Sequence, residues 1–240
     1  MAHSQNRKKK IEESRELLNS YLANTALMLS TPVRLTILTT LAQAPRTVDE
    51  LCEVTFQSMA NVSQHLAKLK TARLVSVEKR GVQRVYTLAS PAVHKVVVAL
   101  QELARSISSE VEQAENTLIA PELRAQADLQ TILNEIESDR ANLIDVRTPH
   151  EQESTPVSNA LQIPVETDED LQKVLAQAHK SKPVYVFCRG AYCATASRTA
   201  EYLREHGIDA WCLRETSLDL KNAEQAKSKN SQSTARKEFK

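Results

Sequence analysis

The 240-residue chain is 41% hydrophobic but only 4% aromatic, enough for two modest domains whose cores must be aliphatic. Its formal charge of +1 hides an uneven split: residues 1–112 hold 15 Lys and Arg against 10 Asp and Glu, net +5, while residues 113–240 hold 16 against 20, net −4. A basic front half predicts an anionic partner; no apolar run reaches the roughly 18 residues of a membrane span, and residues 1–10 lack a secretory signal's apolar core. The expectation is a cytoplasmic protein with no membrane partner and no cofactor.

Residues 1–10 read as a flexible basic arm. Leu17, Leu18, Leu22, Ala26 and Leu29 then recur at helical spacing through residues 11–29. Thr31 followed by Pro32 opens a helix through Leu35, Ile37, Leu38 and Leu41, and Pro45 closes that unit. Thr47-Val48-Asp49-Glu50 is a capping box that starts a short helix through Leu51 and Val54. Over residues 58–72, Met59, Val62, Leu66 and Leu69 form an apolar stripe. Ser58, Asn61, Gln64, His65 and Lys68 share the opposite face, which carries no glutamate. Its amides suit adenine edges, and its Ser, His and Lys suit phosphates or guanine. Leu74–Lys79 and Val82–Leu88 are β-rich runs joined at Arg80-Gly81, so Lys79, Arg80 and Arg84 lie on a basic hairpin. Ser90-Pro91 caps a helix through Val97, Leu100 and Leu103 whose pattern fades by Leu118. The order is that of a mainly α winged helix-turn-helix over residues 11–118.

Thr31-Pro32-Val33-Arg34-Leu35-Thr36-Ile37-Leu38, Val62-Ser63-Gln64-His65-Leu66-Ala67-Lys68-Leu69 and Arg84-Val85-Tyr86-Thr87-Leu88 carry a close resemblance to the ArsR family of winged-helix repressors, over about residues 20–108. The resemblance implies a homodimer joined through its first and last helices, reading a two-fold symmetric operator in double-stranded DNA. It also adds Ser63 to the DNA-contacting set. Metal sensing does not carry over. Glu50-Leu51-Cys52-Glu53-Val54 has one thiol where the family's sensor motif has two, and His94 stands alone on the last helix. No metal site is expected; Cys52 reads as structural and His94 as a surface residue. The four cysteines, at 52, 188, 193 and 212, lack metal-finger spacing.

Pro121 reads as a hinge, and residues 121–222 alternate strands and helices, with a disordered polar tail at 223–240. The apolar run Val184–Phe187 reads as a buried strand delivering Cys188 to a tight loop that ends at Cys193, with a helix following. Converging amides and a helix dipole there favour a thiolate at Cys188, and the same amides suit persulfide, sulfate or thiosulfate oxygens. Cysteine phosphatases need an arginine six residues after the cysteine; here that position is Ala194, which excludes the chemistry. Cys193 either packs or resolves a Cys188 persulfide to a disulfide. Cys212, beside Trp211, reads as core.

The same loop, together with Leu143-Ile144-Asp145-Val146-Arg147 and the Glu151–Pro164 segment, resembles the rhodanese (sulfurtransferase) family over about residues 120–222. The resemblance implies a parallel sheet flanked by helices. It also implies a site built from Cys188 as nucleophile and persulfide carrier, with Arg189, Gly190, Asp145 and Arg147; Cys193 stands beside them as the packing or resolving thiol read from the loop itself. Where the family has Leu-x-Gly-Gly, this chain has Leu213-Arg214-Glu215-Thr216, so turnover should be slow. Three readings follow: a regulator whose second domain senses reactive sulfur or oxidant, a sulfurtransferase with DNA binding as local control, and a repressor with an inert second module. The small-molecule partner in the first two is a sulfur donor or oxidant.

Overall fold

The computed structural model describes residues 2–238, and side chains within 5–227. Residues divide into two compact units, 1–99 and 100–240. The first contains α1 (Ala2–Met28), α2 (Pro32–Leu41), β1 (Arg46–Thr47), α3 (Val48–Thr55), α4 (Met59–Thr71), β2 (Val75–Arg80), β3 (Gln83–Leu88) and most of α5 (Pro91–Ile107). Thr47 and Glu50 form the expected box: the Thr47 backbone N–H donates to Glu50 Oε2 at 2.7 Å, and Glu50 N–H donates to Thr47 Oγ1 at 3.4 Å. The hairpin turns at Gly81-Val82, with Gly81 at φ +63° and Arg80 paired to Gln83. Leu38, Leu51, Val62, Leu66, Leu69 and Tyr86 meet in an aliphatic core.

The second unit runs through α6 (Ser109–Leu118), a 3-10 turn (Pro121–Leu123), α7 (Leu129–Glu137), β4 (Asn142–Asp145), α8 (Pro149–Ser154), β5 (Ala160–Gln162), α9 (Asp168–Gln177), β6 (Val184–Phe187), α10 (Ala194–Glu205), β7 (Ala210–Cys212) and α11 (Ser217–Glu238). Its four strands are parallel in the order β5-β4-β6-β7. Side chains alternate between the two faces. Ile144, Val146, Val184, Val186 and Cys188 pack with Val174 of α9 and Ala196, Ala200 and Leu203 of α10. Leu143, Tyr185 and Phe187 pack with Ile132, Leu133 and Ile136 of α7 and Leu220 of α11. From β4 the chain steps to β5 on one side and then to β6 on the other. The crevice beyond the C-terminal ends of β4 and β6 is therefore the topological switch point, where open α/β sheets place their sites.

Several expectations change. Residues 2–10, read as a flexible arm, continue α1, and residues 223–238 of the tail continue α11, both stretches lacking Gly and Pro. Met1 of the arm and Phe239 and Lys240 of the tail lie outside the described residues. The division between units falls within α5 and not at Pro121, because α6 docks on the second unit: Glu115 is buried and Ile119 joins that core. Met59, expected in the buried stripe, is 57% exposed, since the first turn of α4 projects past the core. His94, expected on the surface, is 4% exposed.

Candidate functional site

In the first unit, α4 begins at Ser58, whose hydroxyl accepts from Asn61 N–H at 3.3 Å and so caps the helix. Asn61 Nδ2 donates to Gln57 Oε1 at 2.7 Å, which orients its amide. Gln64 and Lys68 are exposed on the same face. His65 is half-buried, and its Nδ1 is buried with no hydrogen-bond partner among the described residues. Burial, then the cations Arg34 and Lys68, lower its pKa. Ser63 is exposed but stands about 100° round the helix from Gln64, off that face. On the hairpin, Lys79, Arg80 and Arg84 are exposed; Lys79 sits directly across from Arg84, and Arg80 pairs with Glu78 at 2.9 Å. Glu78 went unnoticed in the sequence, although its place two residues before Arg80 puts both on one strand face. Cys52, expected as a buried structural residue, packs only half-buried against the front core.

In the second unit, the loop after β6 brings Cys188 and Cys193 together, with Sγ atoms 2.9 Å apart. Both are free thiols. Arg189 Nη1 stands 3.8 Å from Cys188 Sγ and 3.9 Å from Cys193 Sγ. The same guanidinium is held by Glu151, Nε donating to Oε1 at 2.8 Å and to Oε2 at 3.0 Å. Glu151 is buried and also closes the capping box of α8, with Thr148 N–H donating at 3.2 Å. It is a positioning residue absent from the sequence-derived site; its capping-box spacing from Thr148 was the available signal. Gly190 sits at φ +95°, and a Cβ there would stand 2.8 Å from Thr216 Cγ2. Residues 214–216 thus lie against the loop, with a threonine methyl filling space that a glycine would leave open.

Two features of this site differ from the expectation. The Cys188 sulfur, at the end of β6, is closed in rather than open. That residue lies in phase with Val184 and Val186, only 1% exposed, and the hydrogen bond with Cys193, followed by burial, pushes its thiol well above the ordinary value. Cys193 occupies the N-cap of α10; its hydrogen bond with Cys188, opposed by burial and aided by Thr195, brings it down to about 5. Asp145 and Arg147 do not reach the sulfurs. They alternate with Ile144 and Val146 onto the opposite sheet face, both 0% exposed. There Arg147 Nη2 donates to Asp145 Oδ2 at 2.6 Å and to Thr155 O at 2.8 Å, and Nη1 donates to Ser217 Oγ at 2.8 Å. The pair ties β4 to α8 and α11 and so fixes the crevice from behind. Cys212 is core, as expected, its thiol raised to about 12 by burial first. Among the described residues no group of three or more His, Cys, Asp or Glu could hold a metal ion.

Residues 31–77 match the bacterial regulatory protein arsR family, and residues 127–218 match the rhodanese-like domain. The chain carries an ArsR-family helix-turn-helix domain followed by a rhodanese-like domain. It is 28% identical over 194 residues to the HTH-type transcriptional regulator Rv0324 of Mycobacterium tuberculosis, covering 79% of this chain and 82% of the relative. That span reaches into both domains. Among solved structures, Rv0081 of M. tuberculosis is 32% identical, covering 39% of this chain and 97% of that one, with a TM-score of 0.36. The homodimeric winged helix-turn-helix DNA-binding domain of Mb0332 from Mycobacterium bovis is 27% identical, covering 38% of this chain and 84% of that one, with a TM-score of 0.36. No described helix is long and apolar enough to cross a membrane.

Proposed function

We propose that this ArsR-type regulator is a dimeric, cytoplasmic sensor that binds a two-fold symmetric DNA operator and changes its affinity when the Cys188–Cys193 dithiol reacts with sulfane sulfur or an oxidant. The observation that carries the reading is the 2.9 Å approach of two free thiols in one loop, one of them at a helix N-cap. A pair so close converts between dithiol and disulfide with little backbone movement. The dimer reading is supported by unpartnered apolar faces on the first and last helices of the DNA-binding domain. Leu17, Leu18, Tyr21 and Leu22 of α1 are exposed, as are Val96, Leu100, Leu103 and Ile107, one stripe along α5. Gln64 and Asn61 read base edges, while Lys68, Lys79, Arg80 and Arg84 meet phosphates.

The test measures operator binding by fluorescence anisotropy before and after polysulfide treatment, in the wild type and in the Cys188→Ser, Cys193→Ser double variant. The expected result is a several-fold change in affinity confined to the wild type. Equal affinity in treated and untreated wild type, with the dithiol demonstrably modified, overturns the sensor reading. Sustained sulfur transfer to cyanide would then favour a sulfurtransferase.

A further inference from the structure

The exposed side of α4 is wider than its polar face. Counting from Met59 at about 100° per residue, Ser63, Ala67 and Ala60 fall at about 40°, 80° and 100°, and Gln64, Lys68 and Asn61 follow at about 140°, 180° and 200°. The rest of the circle is the buried stripe. Met59, Ala60, Ser63 and Ala67 are all exposed, Met59 at 57%. The helix therefore presents two adjoining strips: one of amides and an ammonium, the other of a thioether, two methyls and a hydroxyl. A helix face kept in water normally carries charge. This second strip carries none, and no residue of α4 is acidic.

Resting on the operator reading of α4, we infer that Met59 is a specificity-determining residue that reads thymine through its C5 methyl group. The half-site then holds an A·T pair where the first turn of α4 enters the major groove. Helices of this kind contact base edges with their N-terminal residues, and Met59 is the first residue of α4. The thymine methyl is the one apolar group on the edges that the major groove presents. A donor or acceptor placed against the thioether would lose water and gain no hydrogen bond. A methyl placed there loses nothing polar, and both surfaces leave water together. Methionine is unbranched and polarisable, so it follows the methyl's position. Ala60, Ser63 and Ala67 are short and let the helix backbone sit close to the bases. The two strips agree on the base pair, since Gln64 offers an amide to adenine N6 and N7 while the neighbouring strip offers carbon to thymine. Charge delivers the helix without choosing the sequence: Lys68 and Lys70 lie in its last turn, and Lys79 and Arg84 are exposed on the wing. Discrimination falls to the uncharged first turn.

In the experiment, the full chain first selects its tightest duplex from a pool of random sequence. That duplex is made again with deoxyuridine at each thymidine in turn, which removes the C5 methyl and alters no hydrogen-bonding group. At one thymine per half-site the wild type is expected to bind about three- to four-fold more weakly, the worth of one buried methyl-sized group. Met59→Ala is expected to bind the thymine and uracil duplexes alike at that position. The Met59 side chain is exposed, so the variant keeps the core, and the wild-type comparison needs no variant at all. Uracil duplexes bound as tightly as the thymine duplex, or a loss of equal size in Met59→Ala, overturns the inference. A pool from which no duplex is enriched would sink the operator reading itself, and this inference with it.

Discussion

Glu115 of α6 and Arg214, two residues beyond β7, form an ion pair at 2.7 Å in which the carboxylate is only 3% exposed. Arg105 of α5 approaches the same oxygen at 3.8 Å. The Arg214 carbonyl oxygen lies 3.4 Å from where a Gly190 Cβ would stand. One carboxylate thereby joins the C-terminal end of α5 and α6, all within the second unit, to the segment that flanks the dithiol loop.

Glu115→Gln should destabilise the second unit by about 1–3 kcal/mol, because two arginines lose their shared counter-charge while remaining partly solvated. Urea unfolding followed by Trp211 fluorescence measures this. An unchanged midpoint would mean that the triad contributes nothing net.

Gly190→Ala should cost about 1–3 kcal/mol from backbone strain at its φ of +95°, with further loss from the methyl contact at Thr216. Adding Thr216→Gly removes the contact but not the strain, so the double variant should recover only part of the stability. Full recovery would show that the backbone there tolerates an L side chain.

Arg147→Ala should be among the most damaging single changes, about 3–5 kcal/mol, since it strands the Asp145 carboxylate in a site with no exposed surface. Replacing both residues by apolar side chains should cost less than removing one. Thermal unfolding of the three proteins compares them; equal losses would refute a paired role.

Gln64→Ala should lose about 1–3 kcal/mol of discrimination at one base pair, whereas Arg84→Ala should weaken all duplexes alike and lower the salt slope by about 1. Leu18→Glu or Leu103→Glu should break the dimer and abolish tight operator binding. Sedimentation should then report the 26.8 kDa monomer. A variant that stays dimeric would move the interface elsewhere.

Local signals in the sequence were strong where one residue's chemistry decides the matter. The Thr47 and Glu50 box, the glycine at the hairpin turn and the four-residue strand ahead of Cys188 all stand where their side chains require. Questions of which side a residue faces were harder. Val184–Phe187 is apolar throughout and buried on both faces, so its pattern carries no phase from which to tell that Cys188 points inward. Asp145 and Arg147 look like a site because they are charged and close to the crevice, but their register turns them to the other face of the sheet. His94 and Met59 exchanged their expected environments because burial at helix ends depends on what packs there, which helical spacing does not report. The division within α5 rests on Glu115 finding Arg214, a partner 99 residues away.

The facing of Lys79 and Arg84 across the hairpin gives ionic strength two opposite effects on the wing. Like charges directly opposed weaken an antiparallel pair, so dissolved salt relaxes the free hairpin by shielding them. On the proposed DNA-binding reading, a phosphate bridging the two cations would do the same work locally and make the wing stiffer on a duplex than off it. Salt would then quiet the wing of the free protein while competing for the phosphates of the proposed complex.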